Sequence, residues 1–157
     1  MKIGIVIHSQ SGHTAQVAKF IGSAFTGKGH EVDISLLRTI GKVTPRSSKF
    51  ELKSVPDISD CGIILPGGPV WGFGASPVIL RYINSLGRLS GKKVLCFVTK
   101  GLPFPWTGGT QALNKMNEEL SLSDATVLEG EIMHTFGMPN EEKVKPVIER
   151  IVSRCLS

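Results

Sequence analysis

The segment His8-Ser9-Gln10-Ser11-Gly12-His13-Thr14 (HSQSGHT, residues 8–14) divides the apolar run Ile3-Gly4-Ile5-Val6-Ile7 from AQVAKFIGSAF at residues 15–25. The run before it is short and continuously apolar, as in a strand covered on both faces. After it, Val17, Phe20, Ile21, Ala24 and Phe25 recur at helical spacing and share one face. The segment is therefore a strand-to-helix loop. It contains no Lys, Arg, Asp or Glu, yet it suits an anion. A helix N-terminus presents amides without intrahelical acceptors and a partial positive charge. Ser9, Ser11 and Thr14 add hydroxyl donors, and Gly12 lets a ligand approach the backbone closely.

Outward from this loop, strands and helices alternate five times. The first strand covers Lys2 to Ile7, and the first helix runs from about His13 to Thr26 before Gly27 and Gly29. A second strand follows at about Glu31 to Leu37, and a third, short one at Gly62 to Leu65. Ser76 reads as an N-cap with Pro77 at the first helical position; Ile79, Tyr82, Ile83 and Leu86 form that helix's buried face, and Gly87 ends it. A fourth strand spans Lys93 to Thr99, and a helix covers about Thr110 to Leu120 with Leu113, Met116 and Leu120 inward. The fifth strand is about Thr126 to His134. A last helix begins near Asn140 and buries Val144, Val147, Ile148, Ile151, Val152 and Cys155. Pro146 inside that pattern is expected to kink the helix or delay its start.

Apolar strands alternating with amphipathic helices predict a parallel α/β sandwich, which binds ligands beyond the carboxyl ends of its strands. A chain of 157 residues suits one domain. One segment breaks the rhythm. Between the second and third strands, Arg38 to Asp60 has two prolines, no helical stripe, and the cations Arg38, Lys42, Arg46, Lys49 and Lys53. It predicts an irregular crossover with at most one short helix.

Composition narrows the function classes. Cys61, Cys96 and Cys155 are odd in number and form no C-x-x-C, which favours inert core thiols in a reducing, cytoplasmic setting over a disulfide scaffold. No apolar run reaches ~18 residues, so no membrane span is expected. The net charge of +5 comes from scattered residues, with no basic stripe interleaved with aromatics, so no nucleic-acid partner is expected. No paired carboxylates, Ser-His-Asp set or metal-ligand cluster stands out. His8, His30 and His134 are isolated in sequence. The loop also lacks the G-x-x-x-x-G-K-[ST] of a nucleotide triphosphate loop and the G-x-G-x-x-G of a dinucleotide site.

Ser9-Gln10-Ser11-Gly12-His13-Thr14 resembles the flavodoxin phosphate loop, [ST]-x-[ST]-G-x-[ST], in its place and its flanks. The resemblance extends over nearly the whole chain. Pro69-Val70-Trp71-Gly72 lies where flavodoxin-like proteins carry their first flavin loop, and Thr99-Lys100-Gly101 where they carry the second. LPGGPVWGFGASPVILRYI, with the later GKKVLCFVTKG, looks most like the NAD(P)H-dependent oxidoreductases of that family. The resemblance implies a flavodoxin-like three-layer α/β/α sandwich with a five-stranded parallel sheet in the order 2-1-3-4-5. It implies FMN, with the phosphate on residues 9–14 and His13 at the variable position. Trp71 would lie against the flavin ring, or else pack under its own loop. Gly72 and Gly74 flank Phe73, and a peptide between Trp71 and Gly74 would flip to meet the flavin N5. Thr99 to Trp106 would face the other edge of the ring, with Gly108 and Gly109 opening the next helix. The Pro-Phe-Pro-Trp at residues 103–106 departs from the family's glycine-rich loop, and Phe104 and Trp106 would be a substrate platform or an apolar turn.

No side chain is assigned catalysis, because flavin carries the chemistry. The implied function is NAD(P)H oxidation with transfer to a quinone-like small-molecule acceptor. The alternative is an electron carrier between redox protein partners. Carriers are usually acidic, so the positive charge tilts the reading toward the enzyme. A homodimer remains open.

Overall fold

The computed structural model describes the chain from Met1 to Ser157 apart from residues 45, 46, 48, 73, 102–107 and 136. Its elements are β1 (Lys2–Ile7), α1 (His13–Thr26), β2 (Glu31–Leu36), β3 (Thr39–Ile40), β4 (Glu51–Leu52), β5 (Ile63–Trp71), β6 (Gly74–Ala75), α2 (Pro77–Ser85), β7 (Lys93–Lys100), α3 (Gly109–Leu120), β8 (Thr126–His134) and α4 (Glu141–Leu156). The long strands form a parallel sheet in the order β2-β1-β5-β7-β8, which is the expected 2-1-3-4-5.

Both faces of this sheet are covered, which is why its strands read as apolar runs. Ile3, Ile5 and Ile7 of β1 join Leu65, Phe97, and the inner faces of α1 and α4 in one core. Val6, Ile64, Val94 and Val98 face the other way, onto α2 and α3. Ser76 caps α2 by accepting from the Ile79 amide at 3.2 Å, with Pro77 in the first turn, as its sequence predicts. All three cysteines are buried and free, and burial pushes the Cys96 and Cys155 thiols up to about 12.

The structure refines three expectations. The third long strand does not stop at Leu65. β5 continues through Pro66-Gly67-Gly68-Pro69 to Trp71, with Gly67, Gly68 and Pro69 opposite Phe97, Val98 and Thr99. The Phe97 ring fills the space a Gly67 side chain would take, so these glycines serve close packing and not a turn. Pro146 does not delay α4. Asn140 accepts from the Glu142 amide at 2.9 Å, the helix starts at Glu141, and Pro146 sits on its exposed face. The crossover has no helix among the described residues. β3 and β4 pair antiparallel in its place, Thr39 with Leu52 and Ile40 with Glu51, and the Lys53 amide donates to the Arg38 carbonyl at 2.8 Å.

At the far edge, the β7–β8 register slips between Leu95/Leu128 and Phe97/Glu131. The extra β8 residue forms a bulge. Beyond it Glu131, only 9% exposed, is clasped by Arg150 and Arg154 of α4. A Cβ on Gly130, inside the bulge, would lie 2.5 Å from the Cys96 carbonyl oxygen and 2.8 Å from Leu113 Cδ2. Backbone cannot yield there, so Gly130→Ala is expected to lower unfolding free energy by about 1–3 kcal/mol in urea titration.

Candidate functional site

The carboxyl ends of β1, β5 and β7 bring three segments together. The first is the loop after β1. The His8 amide donates to the Gly67 carbonyl at 3.0 Å and the Leu37 amide to the Ile7 carbonyl at 2.7 Å, so the strand end is clamped from both sides. Gly12 is the N-cap of α1 at φ 90°, a left-handed conformation that L side chains avoid, and it caps without a side chain. The Ser9 hydroxyl oxygen accepts from the Ala15 amide at 3.2 Å. Among the described residues nothing takes up the amides of His13 and Thr14. The first turn of α1 therefore keeps open donors and the positive end of the helix dipole.

The hydroxyls are not all free donors. Ser9 spends its acceptor on the helix but retains its O–H. Thr14, 2% exposed, lies 2.8 Å from the hydroxyl of Thr99, 4% exposed, and one of the two donates to the other. The pair keeps one O–H to offer elsewhere. This contact ties the opening turn of α1 to the end of β7, as expected for a site shared by both segments. Gln10 and Ser11 are exposed, and His13 is half-buried.

The second segment was expected as a loop and is a hairpin. Pro69, Val70 and Trp71 end β5, Gly72 turns at φ 55°, and Gly74-Ala75 returns as β6, pairing Trp71 with Gly74 and Val70 with Ala75. Trp71 is half-buried. Its indole meets the His8 imidazole edge-on, with centroids 4.8 Å apart and planes at 81°. His8 is in turn 2.8 Å from the Ser76 hydroxyl through Nδ1.

The third segment is the end of β7 together with Gly101. Thr99 and Lys100 belong to the strand and are buried, while Gly101 lies just beyond it and is exposed. Gly108 and Gly109 open the helix as expected: Gly108 caps α3 at φ 99°, and Gly109 is its first residue. A Cβ on Gly109 would meet Ile132 Cδ1 at 2.9 Å, so its smallness serves helix–sheet packing. His134 ends β8 opposite Lys100 and is exposed. Phe73, Phe104 and Trp106 lie outside the described residues, as does Arg46 of the crossover.

Two features escaped the sequence. His8 reads there as an isolated histidine, but it lies under Trp71 and is 8% exposed. Its place directly after a buried strand and before Ser9 was the available signal. The crossover also forms a wall. A cavity of about 630 Å³ lies between it and the first loop, with Ser9, Gln10 and Trp71 on one side and Arg38, Lys42 and Lys53 on the other.

Chemically, the site offers backbone and hydroxyl donors for an anion and an aromatic wall beside them, with no acid–base pair among the described residues. No protein-family model matches the sequence, and no curated protein matches it. Solved structures share its fold. The chain is similar to oxidised flavodoxin 1 of Bacillus cereus at 21% identity and a TM-score of 0.69, over 96% of this chain and 94% of that one. It is similar to the two-electron reduced flavodoxin of Megasphaera elsdenii at 22% identity and a TM-score of 0.67, over 96% and 98% of the two chains. It also matches rubredoxin oxygen:oxidoreductase of Desulfovibrio gigas at 15% identity and a TM-score of 0.65, over 98% of this chain but 35% of that one. The fold is flavodoxin-like.

Burial pushes the His8 imidazole down from 6.5 to about 4. Between those values the unfolded chain binds a proton that the folded chain refuses. Stability is full above pH 6.5 and falls as pH drops through this window, by up to about 1.4 kcal/mol per pH unit. His8→Asn should flatten that slope relative to wild type, read from urea unfolding at pH 7, 6 and 5.

Proposed function

We propose that the chain is an FMN-binding redox protein acting in the cytoplasm as an NAD(P)H-dependent oxidoreductase with a quinone-like acceptor. One observation carries the flavin reading: the left-handed Gly12 leaves the His13 and Thr14 amides open beside the Thr14 hydroxyl, held by Thr99, and the Ser9 hydroxyl, held by the Ala15 amide. Such a cradle fits a phosphate monoester without any charged side chain. Among the described residues, nothing beyond its chain neighbours lies within 4 Å of where a Gly12 Cβ would be, which leaves room for the ester oxygens.

Bound flavin supplies hydride and single-electron transfer. The chain binds, orients and shields. The α1 amides, Ser9, Ser11 and the Thr14–Thr99 pair hold the phosphate. Gln10 and His13 border it. Trp71, braced edge-on by His8, presents its indole to the ring, a contact of ~0.5–1.5 kcal/mol beyond area burial. The Gly72 turn allows the hairpin backbone to adjust toward the ring, while Thr99 to Gly101 close the other side. The three buried thiols fit a reducing compartment.

The carrier reading has its own support. The flavodoxins of Bacillus cereus and Megasphaera elsdenii match this chain over almost their whole length. The oxidoreductase reading rests on the net charge of +5 and on three cations beside the site, which suit an anionic donor.

Adding FMN at about a hundred times its Kd should stabilise the fold by about 2.7 kcal/mol, seen as a rise in Tm. Gly12→Ala should cost about 1–2 kcal/mol of stability through backbone strain, and weaken FMN by about tenfold or more in flavin-fluorescence titration. A wild-type Tm indifferent to FMN would end the flavin reading. Steady oxidation of NADH or NADPH by the loaded protein with a quinone present is expected of the oxidoreductase. No turnover with either nucleotide would leave the carrier.

A further inference from the structure

We propose that the cavity between the β1–α1 loop and the crossover binds a second phosphorylated small molecule of nucleotide size, distinct from FMN. Its volume of about 630 Å³ falls within the usual ~300–1,000 Å³ of small-ligand sites and exceeds what a lone inorganic anion needs.

Its charge has one sign. Arg38, Lys42 and Lys53 line it, and no Asp or Glu does among the described residues. Several cations elsewhere in the chain do meet carboxylates: Lys2 meets Asp33 and Asp60, Arg88 meets Asp124, and Arg150 and Arg154 meet Glu131. None of the three cavity cations has a carboxylate partner among the described residues. The fold itself assembles them, since the Lys53 amide is hydrogen-bonded to the Arg38 carbonyl across the β3–β4 ladder. A guanidinium with two ammonium groups is a phosphate-binding set.

Part of its wall is apolar. Leu37 is 4% exposed, while Leu36 stays open at 39%, and Val43 completes a surface suited to a planar base. The cavity borders the proposed flavin site along Ser9, Gln10 and Trp71 and extends from it to Arg38, Lys42 and Lys53. The sheet order puts β2 on one side of β1 and β7 on the other, and the Thr14–Thr99 contact marks the β7 side. A concave site floored by Leu37 and His8 suits a small ligand better than a protein, which needs about 1,000 Å² of surface to dock stably.

The test is calorimetric titration of ADP into the full-length protein, with and without saturating FMN. ADP should bind more tightly than about 1 mM in both conditions, and inorganic pyrophosphate should displace it. Arg38→Gln/Lys42→Gln/Lys53→Gln changes only exposed side chains. It should weaken ADP by about tenfold or more while leaving FMN affinity within about twofold. The proposal is overturned if ADP gives no heat, if FMN competes with ADP, if pyrophosphate fails to displace it, or if the triple variant loses both ligands equally. Binding of poly-glutamate with none of ADP would overturn it too, marking a docking face for an acidic protein. ADP binding that survives a failure of FMN to bind would support this site and count against the flavin reading alone.

Discussion

The architecture at the sheet's carboxyl edge depends on one constraint: β1 must hand the chain to α1 through a residue that tolerates φ 90°. With that geometry the first amides of the helix stay open, and Gly12 brings no side chain to cap them. The strand end is held for this purpose. Its neighbours on both sides hydrogen-bond to it, through Gly67 of β5 and Leu37 beyond β2. The helix end is held as well, because Thr14 reaches across to Thr99. Rigid anchoring lowers the cost of ordering the loop when a ligand arrives. An anion site without a charged side chain is then feasible, since donors already in position need no reorganisation.

Much of this was legible in the chain. Period-3.6 faces and apolar strand runs are strong signals, and they located the long strands and the four helices. The Ser76-Pro77 cap was read at its position because capping chemistry is local, and the last helix was placed near Asn140, which the structure shows to be its cap. The misreadings share a cause. Pro66-Gly67-Gly68-Pro69 carries the composition of a turn, but in β5 the glycines make room for the Phe97 ring, a partner about thirty residues away that no local pattern announces. Pro146 failed to interrupt α4 because it falls on the solvent face, where an unpaired carbonyl can be hydrated.

His8 and the crossover were illegible for a different reason. A histidine's environment is set by the residues that fold over it, here Trp71 from a strand much later in the chain. The β3–β4 ladder is too short to have a period. Scattered cations in an irregular segment look solvated until pairing of Thr39 with Leu52 gathers three of them around one hollow.

The way that segment is fastened bears on how the molecule can change over time. The Lys53–Arg38 hydrogen bond closes its base, and Arg81 reinforces it by donating to the Phe50 carbonyl and lying 4.6 Å over the Phe50 ring. Residues distal to this clasp bear none of the β1, β5 or β7 pairings. Insertions, deletions and charge reversals there leave the sheet register alone. Descendants of one scaffold can thus diversify what they recognise while inheriting an unaltered sheet.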